Sequence, residues 1–279
     1  MRSDQPLAKK RLGQHFLHDS GIIEKIVRAV NPQPGERLLE IGPGHGAITL
    51  PLLRRHGALT VIEFDRDLIA PLAEAARGVG ELSILHRDVL AVDFGELAEH
   101  ESEGHPDVAH ASRKLRLVGN LPYNISSPIL FHALAFAESI VDMHFMLQKE
   151  VVDRMAAAPG SKVYGRLSVM LQAHCSVTSL FPVPPGAFRP APKVDSAVVR
   201  LLPKPAAQIG IADAAAFADV VRDAFGQRRK TLRNALSKLC EAEDFAVVGV
   251  RPDARAEQLA VEEFIALGNR LAEKRAALQ

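Results

Sequence analysis

Leu38-Leu39-Glu40-Ile41-Gly42-Pro43-Gly44-His45-Gly46 is a short apolar run that opens into three glycines at alternate positions. The run predicts a strand. The glycines let the chain turn sharply and let a ligand approach the backbone with no Cβ in the way. Outward from this stretch the pattern repeats. Short β-rich segments (Arg37–Ile41, Leu59–Glu63, Leu82–His86, Leu115–Gly119 and Val141–Leu147) alternate with amphipathic ones. That alternation predicts an α/β fold, a doubly wound, mostly parallel sheet flanked by helices. Upstream, Asp19 and Ser20 offer a cap to a helix carrying Ile22, Ile23, Ile26, Val27 and Val30, which Asn31-Pro32 and Pro34-Gly35 end.

Downstream, the stretch from Asp93 to Lys114 lapses into Glu, His, Gly and Pro, which predicts a short helix and a surface loop. The proline-rich run Phe181–Pro192 is a second interruption, and Ala197–Leu202 reads as a final strand. Beyond Pro203 and Pro205 the strands disappear. A stripe of Phe217, Val220, Val221, Ala224 and Phe225 marks helices there. The division expected is an α/β domain over 1–205 and a small all-helical domain over 206–279.

The bulk figures suit that division. The chain has 279 residues, 47% apolar and 24% charged, with a net charge of +1. A nucleic-acid partner would therefore need charge concentrated locally. Cys175 and Cys240 stand alone, in the manner of a reduced cytosolic protein. There is no signal core and no apolar run long enough to span a bilayer, so the expectation is a cytoplasmic protein without membrane contact.

The glycine stretch alone is ambiguous, because such turns also serve NAD, FAD or plain packing. Its context narrows the choice. Glu63 closes the second strand, 21 residues after Gly42, where doubly wound folds place a carboxylate for a ribose diol. Asp88 follows the third strand, where it could reach an adenine amino group. A dinucleotide site favours GxGxxG, to lay a pyrophosphate on a helix N-terminus. The spacing here is GxGxG, which suits a nucleoside cofactor without phosphates.

The fourth strand ends in Asn120-Leu121-Pro122-Tyr123. An adenine N6 lone pair is delocalised into the ring and is a poor nucleophile. An amide oxygen and a backbone carbonyl that accept from its two hydrogens favour a more tetrahedral nitrogen and aim the lone pair. Pro122 fixes φ at the corner. Tyr123 can stack on an unstacked base, although a packed aromatic at a strand end is the simpler use of such a residue.

This tetrad resembles the signature of methyltransferases acting on exocyclic amino groups of bases. The chain as a whole resembles the bacterial small-subunit ribosomal RNA adenine dimethyltransferase family. The resemblance rests on Lys10–Leu17, the glycine stretch, Asn120–Ser126, Phe145–Val151, Phe188–Ser196 and Gln227–Asn234. It implies an S-adenosylmethionine-dependent methyltransferase fold. The implied reaction is double methylation of N6 on two adjacent adenosines near the 3′ end of small-subunit RNA, in an assembling subunit, with no obligate protein partner. It also implies that Gln14, His15 and Leu17 fold over the cofactor. Gly42 and Gly44 would contact it, with Glu63 on its ribose and Asp88 with Val89 at its adenine. Asn120 and Leu121 would lie between donor methyl and target amine. Phe188 would stack on the target base opposite Tyr123, burial against the sheet being its other use.

Arg222, Arg228, Arg229, Lys230 and Arg233 form a basic run with one acidic residue, Asp223, inside it. On one continuous helix several would share a face suited to phosphates, or form an ordinary solvated face. Lys9, Lys10, Arg11, Arg189 and Lys193 would add positive charge around the mouth of the site. His100, His105 and His110 have no ligand spacing, and no metal is expected. The rival readings are the related large-subunit RNA methyltransferase, a DNA adenine methyltransferase, a non-catalytic assembly factor and a NAD-dependent dehydrogenase.

Overall fold

A computed structural model describes residues 8–9, 12–100, 114–227 and 229–277. Its strands are β1 (Phe16–Leu17), β2 (Arg37–Ile41), β3 (Ala58–Glu63), β4 (Glu81–His86), β5 (Leu115–Asn120), β6 (Ile140–Gln148), β7 (Cys175–Val183), β8 (Phe188–Arg189) and β9 (Ser196–Pro203). Seven of them form one sheet in the order β4-β3-β2-β5-β6-β9-β7, and β1 pairs with β8. From β4 to β6 every pairing is parallel, while β9 runs antiparallel to β6. The winding reverses between β2 and β5, which opens a crevice at the carboxyl ends of those two strands.

Apolar side chains bury the central strands on both faces, as a parallel sheet requires. Leu38, Leu59, Val61, Val118 and Val198 pack with Ile26, Val27, Leu52 and Leu53 of flanking helices. On the alternate positions Leu39, Ile41, Ile62 and Leu117 are equally buried. The helix Ser20–Val30 starts where the cap predicted it, with the Asp19 side chain accepting from Ile22 N at 2.9 Å.

The chain packs as two compact units, 1–152 with 178–203 and 153–177 with 204–279. The helical unit therefore takes in 153–177, which the single cut at 205/206 leaves outside it. The reason is burial: Tyr164, Val169 and Ala173 join Phe217, Val220, Phe245 and Phe264 in one core. β7 runs on into the start of the Phe181–Pro192 stretch expected to interrupt the strands. It tolerates Pro182 because it is the edge strand, where a missing N–H breaks no ladder.

The basic run is not one helix. Ala214–Gly226 is helical, a turn follows in which Lys230 N donates to Gln227 O, and a short helix resumes at Leu232–Ala235. Leu232 N and Arg233 N donate to Ala254 O and Pro252 O, so the chain is diverted to bury Leu232. The single helical face expected to gather these cations is thereby broken. Arg228 lies outside the described residues. No helix among the described residues is long and apolar enough to cross a membrane.

Candidate active site

At the reversal of winding lies a cavity of about 290 Å³, within the α/β unit. The residues expected to hold a cofactor line it: Gln14, His15, Leu17, Gly42, Gly44, Glu63, Asp88 and Val89. Asn120, Leu121 and Tyr123 complete the wall. The strand ends bring them together, because β2, β3, β4 and β5 all run in the same direction.

Gly42 and Gly44 have φ of 68° and 57°, a region that L side chains enter at a cost. A Cβ on Gly44 would stand 3.1 Å from the Phe16 ring, so this position is glycine for space as well as for backbone. Glu63 is buried at the turn. Its Oε2 accepts from Gly44 N at 3.2 Å and its Oε1 from Asp65 N at 2.7 Å. Burial pushes its carboxyl above the usual range, against those backbone bonds. A carboxylate thus occupies the loop amide that a pyrophosphate would need. The carboxylate keeps acceptor capacity for a hydroxyl beyond those bonds. The donor set fits a nucleoside cofactor that carries no phosphate.

Asp88 stands exposed after β4, with Oδ1 accepting from Leu90 N at 3.0 Å and Oδ2 without a hydrogen bond among the described residues. Asn120 closes β5, and its Nδ2 donates to the carbonyl of His15 at 2.9 Å. Only the amide nitrogen can donate to a carbonyl, so Oδ1 is the atom left to accept. The His15 ring stacks on Tyr123 with centroids 5.6 Å apart, and its Nδ1–H donates to Pro190 O at 2.8 Å. The Tyr123 hydroxyl lies 2.7 Å from Ser196 Oγ.

Two expectations change here. Phe188 does not line the cavity: it is 2% exposed, pairs through β8 with Leu17, and packs in the core with Ile22 and Val183. Its ring therefore sits where burial against the sheet was the alternative, held there by the strand pairing. Lys9 does not lend free charge to the mouth. Its Nζ is bonded to Asp65 at 2.5 Å and Asp67 at 2.6 Å, while Gln14 Nε2 donates to Asp65 at 2.9 Å. Those bonds latch the leader segment to the loop after Glu63. Lys10 and Arg11 lie outside the described residues.

The sequence reading passed over Glu40, although it stands inside the opening stretch. It is 1% exposed, lines the cavity, and its Oε2 has no hydrogen-bond partner among the described residues. Burial, with the nearby Glu63 charge adding, pushes its carboxyl up to about 8. The signal was available as a carboxylate two residues before the first glycine, within an apolar strand.

In the helical unit, Arg222 is bonded to Asp219 at 2.6 Å and Asp223 at 2.8 Å. Arg229, Lys230 and Arg233 are exposed and have no ion pair among the described residues. His105 and His110, like the His100 side chain, lie outside the described residues. Among the described residues no group of three His, Cys, Asp or Glu could hold a metal ion.

A family model described as ribosomal RNA adenine dimethylase matches residues 6–273. A protein of Xanthomonas campestris pv. campestris (strain B100), named ribosomal RNA small subunit methyltransferase A, is 70% identical over 94% of this chain and 95% of its own length. A protein of the same name from Xanthomonas oryzae pv. oryzae (strain PXO99A) is also 70% identical over the same shares. Among solved structures, a dimethyladenosine transferase from Plasmodium falciparum superposes with a TM-score of 0.77 at 24% identity, covering 94% of this chain and 98% of that one. The 23S rRNA methyltransferase ErmE superposes with a TM-score of 0.68 at 24% identity, covering 92% and 99%. At that identity the two structures speak for the fold.

Proposed function

This chain belongs to the ribosomal RNA adenine dimethylase family, and on that premise we propose that it dimethylates N6 of two adjacent adenosines near the 3′ end of small-subunit rRNA. The methyl donor is S-adenosylmethionine, and the substrate is RNA in an assembling small subunit in the cytoplasm. The relatives named for the small subunit, at 70% identity, favour it over the large.

The observation that carries the reading is the Asn120 amide on the cavity wall beside Tyr123, with Nδ2 committed to His15 O and Oδ1 the atom left to accept. When bound, S-adenosylmethionine supplies an activated methyl on a sulfonium, so the protein needs no acid of tuned pKa. Alignment is its main contribution. Glu63 would hold the ribose, Asp88 with Val89 the adenine, and Gly42 and Gly44 the main-chain contacts beneath Gln14, His15 and Leu17. Asn120 Oδ1, with a backbone carbonyl near Leu121, would accept from the target N6 while Tyr123 supports the base. Each transfer breaks one S–CH₃ bond, forms one N–CH₃ bond and releases one N6 proton to solvent. Phe188 would act from the core, holding the Leu17 segment through the β1–β8 pairing.

The α/β unit would carry catalysis, and the helical unit would carry RNA contacts through Arg228, Arg229, Lys230 and Arg233, with Arg222 secondary because of its two aspartates. The test offers labelled S-adenosylmethionine to small subunits lacking the modification, with large subunits and DNA in parallel, and identifies nucleosides by mass. Dimethyladenosine from small subunits alone is the expected result. Product from large subunits only would move the assignment to their methyltransferases. No product anywhere, with cofactor bound, would make this an assembly factor.

A further inference from the structure

The Phe188–Ser196 stretch ends in a residue that the cofactor and phosphate arguments leave unused. Ser196 is 0% exposed and begins β9, where it pairs with Gln148 of β6. Lys149 N donates to Asp195 O at 2.8 Å and fixes the same corner. Its neighbours Ala197, Val198 and Val199 are buried apolar residues. A hydroxyl in such a run is a cost unless bonded. Its bond runs to the Tyr123 hydroxyl at 2.7 Å, 73 residues away on the loop after β5.

Tyr123 is held at three places. Its carbonyl accepts from Ser126 Oγ at 3.1 Å, its ring lies against His15, and its phenol ends on Ser196. The first two hold the backbone and one face. The third stops the ring from swinging, because it ties the far end to a sheet residue that cannot move without breaking the β6–β9 ladder. We propose that Ser196 is a positioning residue for methyl transfer, fixing the Tyr123 ring so that it presents a constant face to the target base. The inference rests on the reading that Tyr123 supports that base.

The second transfer should feel the loss more than the first. A monomethylated N6 keeps one hydrogen, so one acceptor contact is gone and the ring platform carries more of the alignment.

The experiment compares Ser196→Ala, Tyr123→Phe, the double variant and Tyr123→Ala on small subunits lacking the modification. Readouts are kcat, cofactor affinity and the ratio of mono- to dimethyladenosine. Ser196→Ala and Tyr123→Phe should each lower kcat roughly 10-fold, by loosening rather than displacing the base. Monomethyl product should accumulate and cofactor affinity should hold. The double variant should be no worse than either single one. The chain has no Trp and two Tyr, so in a Tyr164→Phe background tyrosine anisotropy reports on the Tyr123 ring alone, and Ser196→Ala should lower it. Wild-type product ratios in both single variants, or additive losses in the double, would overturn the inference while an impaired Tyr123→Ala kept the platform. Wild-type turnover by Tyr123→Ala would remove platform and inference together. Should Ser196→Ala fail to fold, Tyr123→Phe deletes the same bond from the other side.

Discussion

The two ends of the central sheet treat charge in opposite ways. At the carboxyl ends, Glu40, Glu63, Asp65 and Asp88 crowd one region, where Lys9 is ion-paired with Asp65. At the amino ends, Arg116 donates to Asp142 through Nε and Nη2 at 2.8 and 2.9 Å, to Glu36 at 2.5 Å and to Val30 O at 2.8 Å. Arg200 completes that cluster with Nη2 3.0 Å from Asp142. Against its burial, the Arg116 guanidinium, with His144 and Arg200 adding, holds Asp142 below the usual carboxylate range. Matched charges close one end of the sheet, while the other keeps acceptors in reserve. The first arrangement serves the fold, and the second serves a ligand.

The largest effect expected is on the matched end. Asp142→Ala leaves the Arg116 guanidinium buried beside no carboxylate but Glu36, and should lower the unfolding free energy by about 3–5 kcal/mol. Denaturant melts would read it, with cofactor affinity of the folded protein unchanged. A loss below about 1 kcal/mol would mean that those charges idle like a surface pair, and the contrast would dissolve.

Next comes Glu40, whose burial gives the reserved end its own pH signature. The folded carboxyl titrates at about 8 and the unfolded one near 4.5. Between those values the native state binds the extra proton, so stability falls as pH rises. Glu63 and Thr49 are the groups that act on Glu40, and both stay in place in Glu40→Gln. That variant should remove roughly 3 kcal/mol of decline between pH 5 and 8. The other end gives the opposite limb. Burial pushes His144 down to about 4, so its contribution is lost as pH falls from 6.5 toward 4. Wild-type and Glu40→Gln melts that decline equally above pH 6 would show that Glu40 is charged and partnered in the native state.

Asn120→Ala should be silent in melting and severe in chemistry. With the amide gone N6 loses one of its two acceptors and its aim, and transfer should fall about 100-fold or more while cofactor still binds. Retained turnover with that side chain absent would move the aiming function to the backbone.

What the sequence disclosed depended on range. The strand Arg37–Ile41 and its glycines were legible because local pattern and backbone geometry decide them. Glu63, Asp88 and Asn120 were legible because parallel strands must end on one edge. The bond from Tyr123 to Ser196, the latch from Lys9 to Asp65 and the Arg116–Asp142 cluster join residues distant in sequence. No periodicity encodes such contacts. Phe188 misled because a proline-rich stretch looks exposed, whereas the two-residue pairing with Phe16–Leu17 pulls it inward. The basic run misled for a local reason: cations at helical spacing suggest one continuous face, but the turn after Gly226 and the burial of Leu232 break it.

That break separates cations by their partners and yields the smallest effect. Arg222 sits on the helix before the turn, bonded to Asp219 and Asp223, whereas Arg229 sits in the turn with no carboxylate partner among the described residues. A phosphate contact through Arg229 releases a counterion. A contact through Arg222 must first displace two aspartates, so its net gain is smaller. Arg229→Ala should therefore reduce the slope of log affinity against log salt for small-subunit RNA by about 1. Arg222→Ala should change it by much less. Equal changes would mean that the aspartates swing away in the complex and that pairing in the free protein does not rank phosphate contacts. No change in either would return the segment to an ordinary solvated face and leave RNA affinity to be found elsewhere on the chain.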